Sequence, residues 1–416
     1  MRTAFFAIII ANVVCAFDAS KSFNSRTNKN IFPEQSTAFI TYVEFKDVSS
    51  LKGPSYIKEF RDEENTAFTS IDLDIITTLL LNGAQGSTKK ELMSFLEIID
   101  DVIPFSQMYQ DLTDLLNDIE YFKSYLGIAL YVQKSVNLTT NFSSLCKNKF
   151  CSISTIDFRN NIETAETINS WVQEKTNNEI LHIISPDNID KDTKIILVNI
   201  MYLNIGWSNV KGKIQEHKIN ISPSSMYLLP SIKFEKSTFI QGRIPHWNAT
   251  FFEIHLNAHI IMIMFLADKG MNMNHWKKKI NYLEFQSIKA AFTNNFEQDI
   301  ELHLPTFTTK YHCNMTDFFR LNGITTMFED DADFSHLSNI PLKVDNIIQT
   351  ISVKFNERNP DAPNVDKSEV SKPVDSPRKF YVNRPFYYII EVHGQRIFSG
   401  VVLRPDFMRD LKKDEL

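Results

Sequence analysis

Five asparagines stand two residues ahead of a hydroxyl. Asn137, Asn141, Asn220, Asn248 and Asn314 each open an Asn-x-Ser/Thr triplet with no proline between. That spacing is the acceptor pattern for N-glycosylation, and several of the five are expected to carry glycan. The chemistry requires passage into the secretory pathway, and both ends of the chain point there. Arg2 precedes an apolar run, Ala4 to Val14, broken only by Asn12, and Val14-Cys15-Ala16 fits a small-residue cleavage site. Residues 1–16 therefore read as a signal peptide. Lys413-Asp414-Glu415-Leu416 is a retrieval address read by a receptor of the early secretory pathway. The expected location is the lumen of the endoplasmic reticulum, with some secretion, and the first expected partner is a KDEL-type retrieval receptor.

Other reactive side chains are sparse. With residues 1–16 removed, Cys146, Cys151 and Cys313 remain. Cys146 and Cys151 are close enough to pair across a short loop, and unpaired thiols in a large core fit equally well. His255 and His259 lie four apart, which more often marks structural histidines than metal ligands. There is no Gly-x-Ser-x-Gly elbow, phosphate loop, His-Glu-x-x-His or dinucleotide fingerprint, so no enzyme, cofactor or metal is expected.

The 416 residues are 43% hydrophobic with a net charge of -6, enough apolar content for one large domain. The charge balance gives no basic face for nucleic acid, and Lys277-Lys278-Lys279 reads as solvated surface. After the signal no segment approaches the roughly 18 apolar residues of a membrane helix, so no membrane insertion is expected. Helical spacing runs from Ile71 to Leu81, restarts at Ser87, and recurs from Thr164 to Glu179. Strand-like runs cover Ile195 to Leu203, Phe251 to Phe265, Ile300 to Phe307, Ile347 to Phe355 and Tyr387 to Val392. Helices early and strands late argue for an α+β fold. Between two strong strands, Asn356 to Arg378 is polar and broken by Pro360, Pro363, Pro373 and Pro377. Such long loops are usually functional or disordered.

The ordered blocks of the chain resemble the serpin family. They are Asn65 to Glu91 with Gly83-Ala84-Gln85-Gly86, Ile168-Asn169-Ser170-Trp171-Val172, and Leu197-Val198-Asn199 with Tyr202 and Gly206-Trp207. Leu304-Pro305, Leu321-Asn322-Gly323-Ile324, Ala332-Asp333-Phe334-Ser335, Arg384-Pro385-Phe386 and Phe398 to Pro405 complete the set. The segment before Pro54 fits poorly. The resemblance implies three β-sheets, about eight or nine helices and an exposed reactive loop. It places the serpin domain at 17–405, the loop at about 357–379, and a tail bearing the retrieval signal at 406–416. In inhibitory members a protease cuts the loop, which then inserts into the main sheet as a new strand.

Against that mechanism the loop departs from the family pattern. Glu357 is present at the hinge, but Asn359 replaces a flexible glycine, and Pro360 and Pro363 fall where a central strand must form. Proline lacks the ladder N–H and is confined to edges and bulges. In the inserted register Pro360, Ala362, Asn364 and Asp366 would face the core. Counting from Glu357, the scissile region is Lys372, Pro373 and Val374, with Arg378 further on. Asp72, Asn199 and Gln349 take the places of a sheet-opening cluster, and Thr306 replaces the lysine that usually pairs the hinge glutamate. In tail and hinge the chain is similar to the family's non-inhibitory, collagen-binding chaperones. The expected function is a client-binding role in the secretory pathway, with an unidentified secretory protein as partner. The alternative is inhibition of a serine or cysteine protease by loop cleavage and trapping.

Overall fold

The computed structural model describes residues 65–69, 71–96, 122–147, 151–205, 214–222, 225–256, 260–271, 276, 297–355, 378–392, 395–403 and 409–410. Residues 1–64, most of the expected reactive loop, including Glu357, Asn359, Pro360, Ala362, Pro363, Lys372, Pro373 and Val374, and Lys413–Leu416 lie outside the described residues.

The first helix, α1 (Ile71–Gly83), is apolar nearly all round. Leu73, Ile75, Ile76, Leu79 and Leu80 are all fully buried, as expected of a core helix rather than an amphipathic surface one. Its buried Thr77 hydroxyl is satisfied by Leu73 O at 2.6 Å. A tight turn leads into α2 (Gly86–Leu96). Gly86 adopts φ +58°, and a Cβ on Gly83 would meet Leu337 and Phe142 at 3.0–3.2 Å, so both glycines are sterically required. The turn docks on a distant segment. Gln85 N–H donates to Asp333 O at 2.8 Å, and Asp333 N–H donates to the fully buried Thr88 Oγ1 at 2.9 Å. Two sequence blocks about 245 residues apart thus complete one another's hydrogen bonds.

Two further helices, α3 (Thr140–Lys147) and α4 (Asn161–Lys175), flank β3 (Cys151–Ile156). Helix α4 begins three residues before the expected start and ends four before the expected stop. Asn160 caps it through the Glu163 N–H, and Asn177 and Asn178 at φ +50° and +63° reverse the chain beyond it. The last described helix is α5 (Thr316–Leu321).

One five-stranded sheet has the order β10-β11-β4-β2-β3. It comprises β10 (Phe307–Asn314), β11 (Asn346–Phe355), β4 (Ile195–Ile205), β2 (Phe122–Gln133) and β3. A second sheet runs through β1 (Thr66–Phe68), β14 (Gln395–Val402), β13 (Phe386–Val392), β8 (Ile260–Ala267) and β7 (Ala249–His255) to β6 (Ser225–Ile244). The first part of the 20-residue β6, Ser225 to Phe239, belongs to a third sheet, and after register shifts between Phe234 and Phe239 its last part, Ile240 to Ile244, pairs with β7 in the second. In the third sheet it pairs with β5 (Ile214–Ser222), β9 (Glu297–Pro305) and the short β15 (Arg409–Asp410). Parallel to β9 lies β12 (Arg378–Tyr381), which Arg378 opens opposite Ile300. Three sheets are therefore present, as the resemblance implied. Among the described residues there are five α-helices, and none is long and apolar enough to cross a membrane.

Two single runs of the sequence prove to be pairs of strands. The stretch 251–265 is the antiparallel pair β7–β8, the first strand ending at His255 and the second beginning at Ile260. The stretch 300–307 breaks at Thr306, where the chain leaves the third sheet and enters the five-stranded one. Apolar residues on both sides of each break hide it, because the strands are buried on both faces.

A cross-chain contact yields a first prediction. The Glu91 carboxylate of α2 accepts the N–H groups of Thr325 and Thr326, each at 2.8 Å, and both their hydroxyls. Partial burial alone would raise its pKa, but these hydrogen bonds outweigh that and hold it below the usual value. A depressed carboxylate stabilises the fold above the ordinary glutamate range and loses that contribution as pH falls through the folded value. Glu91→Gln should lower stability at pH 7 by about 1 kcal/mol, after discounting for exposure. The deficit should shrink below about pH 4. Thermal melts at neutral and acid pH check this, and a deficit independent of pH would sink it.

Candidate functional site

The five-stranded sheet has one junction unlike its neighbours. β11 and β4 run parallel and pair over ten residues, from Asn346 opposite Ile196 to Phe355 opposite Ile205. β10 is antiparallel to β11, and β2 is antiparallel to β4. β11 ends at Phe355 in this sheet and β12 begins at Arg378 in the third, so residues 356–377 link the two. A segment folding back from Phe355 between β11 and β4 would be antiparallel to both, replacing one parallel pairing with two of the more stable kind.

On the inner face of this seam, Asn199 lies directly opposite Gln349, and both are fully buried. The structure thus brings together two of the three residues expected to form either a sheet-opening cluster or a compensated hydrogen-bond cluster with no regulatory role. Asp72 sits in the first turn of α1, whose Leu73, Ile76 and Leu80 share a core with Leu197, Met201, Ile347 and Ile351. Among the described residues, neither carboxamide atom of Asn199 has a hydrogen-bond partner. An amide buried without partners costs about 1–3 kcal/mol by mutational measures. The seam therefore carries an unfavourable group at its centre. On the outer face, the fully buried Ser352 hydroxyl also has no partner among the described residues.

The outer face is covered by α4 and the strap that follows it, residues 176–194. Ala165, Ile168 and Val172 pack on Ala129, Tyr131, Ile196, Val198 and Ile200. Each fully buried Ile or Val contributes about 1.5–3 kcal/mol. Trp171 stands edge-on to Tyr125 and Tyr131 at 6.3 and 6.5 Å. Asn169 reaches sideways from the helix. Its Oδ1 accepts Ile183 N–H and Ile184 N–H at 2.8 and 3.2 Å, and its Nδ2 donates to Ile184 O at 2.9 Å. The family-like block 168–172 is thus half core and half anchor for the strap.

Beyond that anchor the strap crosses to β10 and β11. Lys354 Nζ of β11 lies 2.6 Å from Glu179 Oε1, and Lys310 Nζ of β10 donates to Glu179 O at 3.2 Å. His312 of β10 hydrogen-bonds the backbone of Ile183 and Gln349. At the start of the seam Asp345 Oδ2 accepts Lys194 N–H and Ile195 N–H at 2.7 and 2.9 Å. Opening the seam means moving β10 and β11 away from β4, against contacts at its start and along the strap. Sequence reading had not singled out Glu179, Lys354 or Asp345. Only the folded arrangement puts Glu179 beside Lys354, 175 residues away.

Several expected sites fall elsewhere. Thr306 is nearly buried at the β9–β10 corner. Asn137 and Asn141 are exposed around the start of α3, and Asn314 is exposed at the end of β10. Asn248 is half-exposed in a left-handed turn at φ +52°. Asn220 belongs to β5, where its side chain is not described. Cys151 is buried at the start of β3, while Cys146 belongs to α3. His255 Nε2 lies 3.0 Å from Glu253 Oε1. His259 is outside the described residues. Among the described residues no group of three or more His, Cys, Asp or Glu side chains could hold a metal.

The sequence profile described as "Serpin (serine protease inhibitor)" matches residues 54–405. Antitrypsin of Bombyx mori is 24% identical, with 77% of this chain and 83% of that protein covered. Neuroserpin of Homo sapiens is 22% identical, covering 83% and 88%. Among solved structures, uncleaved ovalbumin aligns with a TM-score of 0.70 at 19% identity, covering 82% of this chain and 94% of ovalbumin. Serpin-12 of Manduca sexta aligns with a TM-score of 0.69 at 18% identity, covering 84% and 96%. These structural likenesses concern the fold.

Two substitutions probe the seam from its two faces. Asn199→Leu removes the unpartnered amide and should stabilise the five-stranded form by about 1–3 kcal/mol; an unchanged or lower melting temperature would contradict the assignment. Lys354→Met removes the strap's ion pair and should destabilise by roughly 0.5–1 kcal/mol at low salt, since both side chains are about a quarter exposed. That loss should fade at about 1 M salt, where screening has already weakened the pair in the wild type.

Proposed function

The chain belongs to the serpin family, and on that premise we propose that it acts as a non-inhibitory, client-binding glycoprotein of the endoplasmic reticulum lumen. The observation that carries this reading is the mismatch between the seam and the segment that would have to enter it. The inner face of the seam is apolar apart from Asn199 and Gln349, with Leu197, Met201, Ile347, Ile351 and Val353 around them. An inserted strand would present Pro360, Ala362, Asn364 and Asp366 to that face. Burying an unpaired carboxylate or amide there costs on the order of several kcal/mol, and each proline forfeits a ladder bond on a strand that would be central. Insertion would exchange one parallel pairing for two antiparallel ones, and these burial and proline costs oppose that gain.

The location rests on Lys413–Leu416, the apolar run after Arg2 and the sequons. The partners in this reading are a retrieval receptor and a secretory protein, a collagen or another secreted structural protein. Inhibition of a protease is the second reading. It is favoured by the open five-stranded sheet with its direct β4–β11 pairing, the required start point for insertion. It is favoured too by relatives named for action against proteases, such as the antitrypsin of Bombyx mori.

Intact protein should melt at the same temperature as protein nicked once within residues 356–377. A large rise on nicking, or a gel-stable covalent complex with a serine or cysteine protease, would replace the proposal by the inhibitor reading.

A further inference from the structure

A cavity of about 250 Å³ opens where β10 ends and β11 begins. Ile183, Ile184 and Asn188 of the strap form one side of it, and His312, Asn314, Asn346 and Ile348 of the two strands form the other. Its volume falls below the roughly 300 Å³ at which pockets for drug-sized ligands begin. Its walls alternate apolar isoleucines with amide and imidazole groups. One of those walls, Asn314, is also the acceptor residue of an Asn-Met-Thr sequon.

The sequon is folded back on itself. Asn314 Oδ1 accepts Thr316 N–H at 3.0 Å and Thr316 Oγ1–H at 2.7 Å, and Met315 between them is buried. The carbonyl end of the carboxamide is thereby occupied, and Nδ2 points to a second wall of the cavity, donating to Asn346 Oδ1 at 2.6 Å. An N-linked asparagine keeps one Nδ2 hydrogen, so this bond survives glycosylation. On the strap side, Asn188 Oδ1 is taken by Ser185, and its carboxamide lines the cavity.

We infer that Asn314 carries an N-glycan whose first N-acetylglucosamine occupies this cavity. The inference rests on the secretory location proposed above. In the transfer, Asn314 Nδ2 forms a bond to C1 of a lipid-diphosphate-linked oligosaccharide, the lipid diphosphate leaves from C1, and Nδ2 loses one proton. The tether then holds the sugar at the mouth of the cavity. The apolar ring face and acetyl methyl meet Ile183, Ile184 and Ile348, and the hydroxyls meet the amides of Asn188 and Asn346. The sugar joins the strap to β10 and β11 near the start of the seam, while Glu179 and Lys354 join them near its end. A strap pinned at both ends resists separation of β11 from β4.

The test uses the full chain made in glycosylating secretory cells, with peptide mass spectrometry at Asn137, Asn141 and Asn314. Three forms are compared by hydrogen exchange over residues 183–188 and 346–349: the native glycoform, the glycoform trimmed by an endoglycosidase to one N-acetylglucosamine, and Thr316→Ala, which lacks this sequon. The expected result is occupancy at Asn314, with equal protection in the first two forms and exchange about tenfold faster in the third. Thr316→Ser, which restores the sequon and its hydroxyl bond, should return to native protection. Glycan at Asn137 or Asn141 but none at Asn314 overturns the inference and leaves the secretory location standing. Equal exchange in all three forms, or loss of protection on trimming to one sugar, overturns the cavity as its seat. Absence of glycan at all three asparagines overturns the secretory location and this inference together.

Discussion

β4 and β11 hydrogen-bond side by side in the same direction for ten residues, and the rest of the structure is arranged around holding that pairing. A parallel junction between two strands that each have an antiparallel neighbour on the other side is weaker per residue than either of those antiparallel pairings, and unlike the parallel edge pair β2–β3 it lies inside the sheet. The chain that follows β11 begins at the end of this line and returns at β12 in another sheet. Whatever the loop does, it is tethered at one end to the place where the sheet would part.

The two faces of the seam treat that weakness differently. The inner face holds an unpartnered amide, Asn199, in an otherwise apolar layer, which lowers the stability of the closed arrangement. The outer face supplies restraint. Helix α4 is seated on β2 and β4, its Asn169 holds the strap at Ile183 and Ile184, and Glu179 carries the strap to Lys310 and Lys354. At the start of the seam, Asp345 binds the first two N–H groups of the neighbouring segment. Closure is therefore a balance between a buried polar penalty on one side and distributed polar contacts on the other, each worth about 1 kcal/mol. Since proteins are stable by only about 5–15 kcal/mol, such a balance is sensitive to a single added clamp, including a sugar.

The same economy of contact explains why the family-like blocks occur where they do. Gly83-Ala84-Gln85-Gly86 and Ala332-Asp333-Phe334-Ser335 form a single docking joint, with Gln85 and Thr88 bonded to Asp333. Asn65 accepts Leu403 N–H at 2.8 Å and donates to Thr308 O at 3.2 Å, so the earliest described residue is tied both to the last long strand and to β10. Residues far apart in sequence are constrained in pairs because each completes the other's hydrogen bonds.

What the chain determined by itself was whatever depends on short-range order: the core helix α1, the glycine turn after it, β4, β11 and β13 nearly to their ends, the sequons, and the prolines that make residues 356–378 a poor central strand. Backbone dihedral limits and local spacing act within a few residues and need no partner to be read. Tertiary structure alone decided where apolar runs split, between His255 and Ile260 and at Thr306, because apolar residues flank each break on both sides. It alone placed Glu179 beside Lys354, left Asn199 without a partner opposite Gln349, and set Asn314 on the rim of a cavity with Asn188. Those relations depend on which strands lie next to one another and which face each side chain takes, and long-range pairing leaves no periodic trace in a single sequence.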